Sequence, residues 1–339
     1  MSIDFALPPD LEAHDPPEAR GIPRDGVRML VSRRAAGAIS HHRFADLAGL
    51  LRPGDLIVVN TSGTLPAQIR AGDGLAVHFS TPVPDGGWLV ELRTVAGPAT
   101  VPSDAGTAGA ALQLPAGATL TLTGRAGRRL WHARLSTAVV PYLLRHGVPI
   151  RYSYVRREWP LSADQTIFAR RPGSAEMPSA SRPFSPQVVT RLVTYGVMFA
   201  PLTLDTGVSS LEAGEEPYPE PYDVPPATAR LVNLARREGG RVIAAGTTVV
   251  RALETAARAR AAADGMVVAS AGWTDHVVTP GTGVLAVDGL LTGLHEPQSS
   301  HLRMLTAFAG PDLLSRCYRA AVDGRYLWHE FGDVHLLLP

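Results

Sequence analysis

The sequence predicts a mixed α/β domain interrupted by an inserted small antiparallel β-barrel domain, on three observations. Apolar runs without alternation at 56–60 and 242–245 suit strands covered on both faces. Helical patterns stand on either side of them, as in a layered α/β structure. Between about 67 and 135 the texture changes to short β-patterned pieces broken by Gly, Pro and Asp, which reads as a separate antiparallel unit. The boundaries that follow are 1–62 for the first part of the α/β domain, 63–139 for the insert, and 140–339 for the second part, which carries most of the candidate site.

The chain opens with a polar lead bearing Pro8-Pro9 and Pro16-Pro17, then offers 28–32 as a strand and 44–51 as a short helix. Pro53-Gly54-Asp55 is a turn that launches Leu56-Ile57-Val58-Val59-Asn60. Asn60-Thr61-Ser62-Gly63 follows at the strand end, where it either meets a ligand or forms a simple Asx-type turn. In the insert, strands are expected at 75–80, 88–95, 119–123 and 130–135, with 96–111 a flexible loop. A helix at 142–147 leads to the proline- and small-residue-rich stretch 172–184, a long loop of the kind more often functional than idle. Ser185 is placed to cap a helix running to 195, 198–204 reads as a strand, 212–226 as an extended acidic loop and 227–238 as a helix.

Residues 239–254 form the best-defined functional element: strand, turn, helix. Gly246 breaks the strand, and Thr247 or Thr248 can cap the helix beyond it. Such a junction presents unpaired N–H groups and partial positive charge to a carboxylate or phosphate at the strand end. A tight βα turn without a ligand accounts for the same residues, because the glycine spacing is not a dinucleotide fingerprint. Strands are then expected at 266–269, 284–290 and 329–338, helices at 300–308 and 311–322, and a second polar loop at 292–300.

The chain has 339 residues, 45% hydrophobic and 19% charged, an ordinary globular composition with ample material for a core. Cys317 is the single cysteine, which leaves no disulfide framework or cysteine zinc site and fits a reducing compartment. No signal peptide or membrane-length apolar run is evident, so a cytoplasmic, non-membrane protein is expected. Every basic side chain other than histidine is arginine, which excludes lysine Schiff-base chemistry and a P-loop lysine. Proton transfer falls to His, Asp, Glu, Tyr or water. With a formal charge of only +1, nucleic-acid binding would need a local patch. Arg125, Arg128 and Arg129 in the insert, with Arg151, Arg156 and Arg157 beyond it, are the candidates, against the alternative of solvated strand arginines.

Several segments, in order along nearly the whole chain, resemble the S-adenosylmethionine:tRNA ribosyltransferase-isomerases of queuosine synthesis. They are Arg24-Asp25-Gly26-Val27-Arg28-Met29-Leu30, the 51–60 stretch ending at Asn60, Gln165-Thr166-Ile167-Phe168-Ala169, Gly246-Thr247-Thr248-Val249-Val250-Arg251-Ala252-Leu253-Glu254, Leu291-Thr292-Gly293-Leu294-His295-Glu296-Pro297-Gln298-Ser299, and Gly332-Asp333. The resemblance implies transfer of the ribosyl unit of S-adenosylmethionine to the aminomethyl group of a 7-deazaguanine in tRNA. That unit becomes an epoxycyclopentanediol while adenine and methionine leave. S-adenosylmethionine is then a co-substrate, and no metal or prosthetic group is needed. The reaction asks for a base beside the sulfonium, an acid for adenine, and a site that excludes water.

The departures from the family pattern fall in the polar loops. The family's Asn-Asp-Thr-Arg-Val reads Asn60-Thr61-Ser62-Gly63-Thr64, and three family histidines are replaced by Pro183, Asp205 and Tyr218. The matched motifs imply Asn60, Gly246, Thr247, Thr248, Arg251, Glu254 and Thr292 as binding residues for S-adenosylmethionine. Proton transfer would run through His295, Asp205, Glu220 or Asp333. Of these, His295 is expected to titrate nearest neutrality, with a hydrogen-bonded loop histidine as the bland alternative. An Arg251–Glu254 surface pair on one helix face and a turn-capping Asp333 are the corresponding alternatives. Two other functions stay open: a divergent enzyme with a small-molecule acceptor, and a non-catalytic RNA- or nucleoside-binding relative. Either a monomer or a homodimer is compatible with the sequence.

Overall fold

The computed structural model of the chain describes residues 5–72, 74–97, 99–208, 218–259, 264–297 and 299–339. A nine-stranded mixed sheet forms its centre, in the spatial order Ser270–Thr274, Glu220–Val224, Met198–Leu204, Leu56–Asn60, Val242–Ala245, Gly289–Gly293, Val334–Leu338, Arg28–Arg33, Ala38–Arg43. Its middle is parallel, from Met198–Leu204 across to Gly289–Gly293. Antiparallel pairs close both sides.

The 56–60 run lacks alternation because both its faces are covered. Leu56 and Val58 pack in one cluster with Val249, Val250 and Leu253 of the helix Thr247–Arg258 and Val232 of the helix Pro226–Arg237. Ile57 and Val59 pack in another with Phe44, Phe184, Val188 and Leu192. Burial of such a side chain is worth about 1.5–3 kcal/mol, and the two layers together fix where the strand ends lie.

Residues of the expected insert share a core, in which Phe79, Leu92, Leu122 and Trp131 are joined by Tyr142, Leu143, Ala175 and Val208 from beyond residue 139. Its strands form an antiparallel sheet with Gln68–Arg70 at one end of the pairing order and Ala111–Gln113 at the other. Among the described residues, no pairing between those two ends closes the expected barrel. The expected loop at 96–111 instead holds the strand Ala99–Pro102, which returns against Trp88–Ala96. A short parallel pair, Ser62–Thr64 with Arg171–Ser174, ties the exit from the central sheet to the supposed long loop.

Other expectations shift for one reason, that pairing partners select the strand within a β-compatible stretch. Residues 266–269 are irregular and the strand is Ser270–Thr274. The strand expected at 284–290 is Gly289–Gly293, and the one at 329–338 is Val334–Leu338. Of the acidic loop, 212–217 lie outside the described residues, as do Ser209, Ser210 and Gln298, while Glu220–Val224 is a paired strand. No helix among the described residues is long and apolar enough to cross a membrane.

Candidate functional site

The parallel strands Met198–Leu204, Leu56–Asn60 and Val242–Ala245 end together, and the chain beyond them builds the site. Gly246 is the cap residue of the following helix, at φ 105° and ψ 153°, a conformation open almost only to glycine. Neither threonine is the cap. Thr247 and Thr248 begin the helix, and no side chain caps it, so its leading N–H groups keep their capacity for a ligand. Asn60 is fully buried and saturated: its Nδ2 donates to Leu204 O at 2.8 Å and to Thr248 Oγ1 at 3.3 Å, and its Oδ1 accepts from Ser62 N and Leu204 N. It stitches the strand ends together behind the site.

In front of this turn lies a cleft of about 760 Å³, its open mouth included, bounded by Thr247, Thr248 and Arg251 of the helix, Thr206–Val208, and His276–Val278. Ser80 and Thr81 enter from the insert, Tyr218 and Glu220 from the acidic segment, and His301 and Met304 from the helix Ser300–Ala309. The framework is rigidly bonded. Arg251 donates to Glu220, to His276 O at 3.2 Å and to Thr274 O at 3.1 Å. Glu220 also accepts from Gly207 N at 2.7 Å, and Ser80 Oγ accepts from Val208 N at 3.0 Å. Against this background, two buried polar atoms of the wall, Thr206 Oγ1 and His276 Nε2, have no protein partner. Buried polar groups left unpaired are rare and costly, so a water or a ligand is needed to complete the bonding at both.

The histidines form a second layer. His301 lines the cleft and stacks on His295, with centroids 4.4 Å apart and planes 5° from parallel. His295 Nε2 shares a hydrogen bond of 2.8 Å with Thr292 Oγ1, and its backbone is held by Tyr318 and Trp328. Burial pushes the His301 pKa down to about 4, and burial, then the neighbouring His301, holds His295 well below the ordinary histidine value. The expectation that His295 titrates near neutrality therefore fails, because desolvation outweighs everything else acting on it. His276 is likewise lowered by burial. All three rings are neutral at pH 7 and can accept a proton rather than supply one.

The remaining sequence candidates divide. Asp205 sits beside the cleft, its carboxylate accepting from Ser62 Oγ at 2.6 Å, and burial raises its pKa despite that bond. Glu254 is fully buried and spent on Leu285 N, Ala286 N and Arg258, so it does not pair with Arg251. Asp333 accepts from Arg28 N at 2.7 Å and Leu327 N at 2.8 Å, pinning the C-terminal loop to the Arg28–Arg33 strand. Arg129 is buried against Glu91 at 3.3 Å, which removes it from any exposed patch. Arg125 lies over Trp131, and Arg157 over Trp159. Thr206, His276 and His301 were not legible as site residues: they stand outside the matched motifs, and only the folded chain brings them to the Gly246 turn. No cluster of metal-ligating residues occurs among the described residues.

The family described as queuosine biosynthesis protein matches residues 1–337. The chain is 35% identical over 367 residues to the S-adenosylmethionine:tRNA ribosyltransferase-isomerase of Moorella thermoacetica, covering 99% of this chain and 98% of that protein. To the protein of the same name from Geobacter sulfurreducens it is 34% identical over 350 residues, covering 98% and 97%. The crystal structure of S-adenosylmethionine tRNA ribosyltransferase from Thermotoga maritima superposes with a TM-score of 0.56 at 27% identity, covering 99% of each chain.

Proposed function

The chain belongs to the queuosine biosynthesis protein family, and we propose that it is an S-adenosylmethionine:tRNA ribosyltransferase-isomerase whose donor occupies the cleft at the Gly246 turn. The observation that carries this is the pairing of an uncapped helix N-terminus with two orphaned polar atoms, Thr206 Oγ1 and His276 Nε2, in one cavity. The leading N–H groups of the helix at Thr247 and Thr248 take the methionine carboxylate, which the helix dipole favours. Val208, Val278 and Met304 supply apolar wall for the adenosyl part.

Within this reading the residues have distinct tasks. The ribosyl unit passes to the aminomethyl nitrogen of the acceptor base, and methionine and adenine depart. A proton beside the sulfonium must be removed, and a neutral imidazole in the cleft, His276 or His301, is suited to take it. Adenine needs a proton as it leaves, and Asp205, beside the cleft with its carboxyl raised by burial, is the candidate acid. The Arg251–Glu220 pair keeps both walls in place. Thr292 and His295 back the His301 ring, and Asn60, Glu254 and Asp333 hold the scaffold. Exposed arginines, Arg125, Arg156 and Arg157 among them, supply phosphate contacts for tRNA.

Incubation of the pure protein with S-adenosylmethionine, with and without tRNA bearing 7-aminomethyl-7-deazaguanine, tests the proposal. Adenine and methionine released in step with modification of the tRNA are expected. Release that needs no tRNA would move the assignment to a small-molecule acceptor, and no release under any condition would leave a binding protein.

A further inference from the structure

A second cavity lies beside the first. It measures about 740 Å³ with its mouth and is formed by residues 148–159, Ala175–Met177 and Glu330–Phe331. Its walls are aromatic and apolar, with Tyr152, Trp159 and Phe331, yet Asp164, Glu176 and Glu330 line the same space. Trp159 Nε1 is buried there without a protein partner.

Glu330 is held in place by a built arrangement. Tyr154 donates its hydroxyl to Glu330, and the Tyr154 ring lies between Tyr152, at 5.5 Å and 2° from parallel, and His329, at 3.9 Å and 11°. The backbone of Tyr154 is fixed in turn by His14 Nδ1, which bonds its carbonyl at 2.6 Å. A stack of three rings thus orients one carboxyl before any ligand arrives. Burial, with Glu176 and Asp164 nearby, pushes the Glu330 pKa up to about 7, and burial raises Asp164 to about 6. Glu330 and Asp164 are costly to ionise here, and a ligand that brings positive charge and hydrogen-bond donors relieves that cost.

We propose that this cavity binds the acceptor nucleobase, a flat, cationic, donor-rich heteroaromatic ring of the guanine type carried on RNA. Aromatic faces stack a base displaced from its strand, and carboxylates accept from the N1–H and exocyclic NH₂ that a guanine-type edge presents side by side. The ammonium of an aminomethyl arm supplies the positive charge. An adenine-type edge offers an acceptor at N1 and fails this match. Arg151 in the wall and Arg157, stacked over Trp159, place guanidinium groups by the cavity for flanking phosphates.

The cavity also adjoins the first cleft. Ala175 lines it and donates its N–H at 2.7 Å to the carbonyl of Thr206, which lines the first cleft. Beside that contact, Ser62 Oγ bonds both Ser174 Oγ, at 2.7 Å, and Asp205, at 2.6 Å. This inference rests on the function proposed above, and its test separates the two.

Fluorescence anisotropy with two labelled anticodon stem-loop RNAs, one bearing 7-aminomethyl-7-deazaguanine and one bearing guanine at that position, reads the cavity directly. Wild-type protein is expected to prefer the modified RNA, and Glu330→Gln to lose at least tenfold of its affinity for that RNA with a smaller loss for the guanine RNA, which shares the edge but lacks the ammonium. Trp159→Ala is expected to weaken both RNAs. Affinity for S-adenosylmethionine should be unchanged in Glu330→Gln, and the thermal midpoint should not fall, since the amide removes a buried acid. If both variants bind the modified RNA like wild type while wild type still releases adenine, the cavity assignment is overturned and the function stands. Wild-type protein that cannot distinguish the two RNAs overturns the cavity assignment and the acceptor part of the function together.

Discussion

His301 shows how burial selects a role for a side chain. A histidine in water is half protonated near pH 6.5, but burial holds His301 neutral down to about pH 4, so in the proposed reaction it would offer a free ring nitrogen of lower basicity than imidazole in water. His301→Gln keeps a polar side chain of similar reach and removes that basicity. Adenine release should fall about 10²- to 10⁴-fold, with affinity for S-adenosylmethionine within a few-fold of wild type. Single-turnover adenine release beside calorimetry checks this, and near-normal turnover would shift the role to His276. His295→Ala should cost less, because His295 reaches the cleft only through the His301 ring. Residues in matched motifs were legible in the sequence, and Asn60, Glu254 and Asp333 among them spend most of their polar atoms on backbone groups. His276 and His301 were not legible, because nothing local marks a lone histidine as facing a cavity that segments far apart in sequence enclose.

The strand, turn and helix around Gly246 are the element on which the site depends. A Cβ at Gly246 would meet nothing nearer than 3.6 Å, so space is available and the obstacle is the backbone, at φ 105°. Gly246→Ala should lower stability by about 1–3 kcal/mol and weaken S-adenosylmethionine binding as the leading N–H groups tilt. Urea unfolding and calorimetry together test this, and an alanine variant unchanged in both would remove the turn from the account. This element was readable because its apolar run, glycine and helix start are all local signals. The Ser270–Thr274 strand was placed four residues early, since its stretch is β-compatible throughout and the partner Glu220–Val224 sets the register. Similarly, 172–184 looked irregular from its prolines, and the Ser62–Thr64 strand recruits its start.

Across the whole molecule, burial of ionisable groups sets a pH dependence of stability. His78 and His335 are pushed down to about 3, and His301 and His329 to about 4, all mainly by burial. A depressed folded pKa gives stability that is present above the unfolded value near 6.5 and lost as pH falls through the folded value, at up to about 1.4 kcal/mol per pH unit for each group. Glu330 and Asp164, raised to about 7 and about 6, act oppositely, their contribution being lost as pH rises through those values. His295 and His276 are depressed as well, and Asp205 and Asp333 raised, so the histidines outnumber the carboxyls and stability falls on acidification between roughly pH 6 and 5. Urea midpoints at pH 7.5, 6 and 5 should fall steeply over the last interval, and a flat profile would mean that the unfolded chain keeps these histidines equally neutral. The layered α/β organisation was legible because buried strands and amphipathic helices write their periods into the sequence. Closure of the insert was not legible, since it depends on whether two distant edge strands meet.

The central claim is that the cleft at the Gly246 turn holds S-adenosylmethionine. A crystal structure with S-adenosylhomocysteine, which lacks the reactive sulfonium, tests it most directly. The account predicts the amino-acid carboxylate within hydrogen-bond reach of the N–H groups of Thr247 and Thr248, and a ligand polar atom on Thr206 Oγ1 or His276 Nε2. A ligand seated instead between Tyr152, Trp159 and Glu330, with the Gly246 cleft empty, would contradict it.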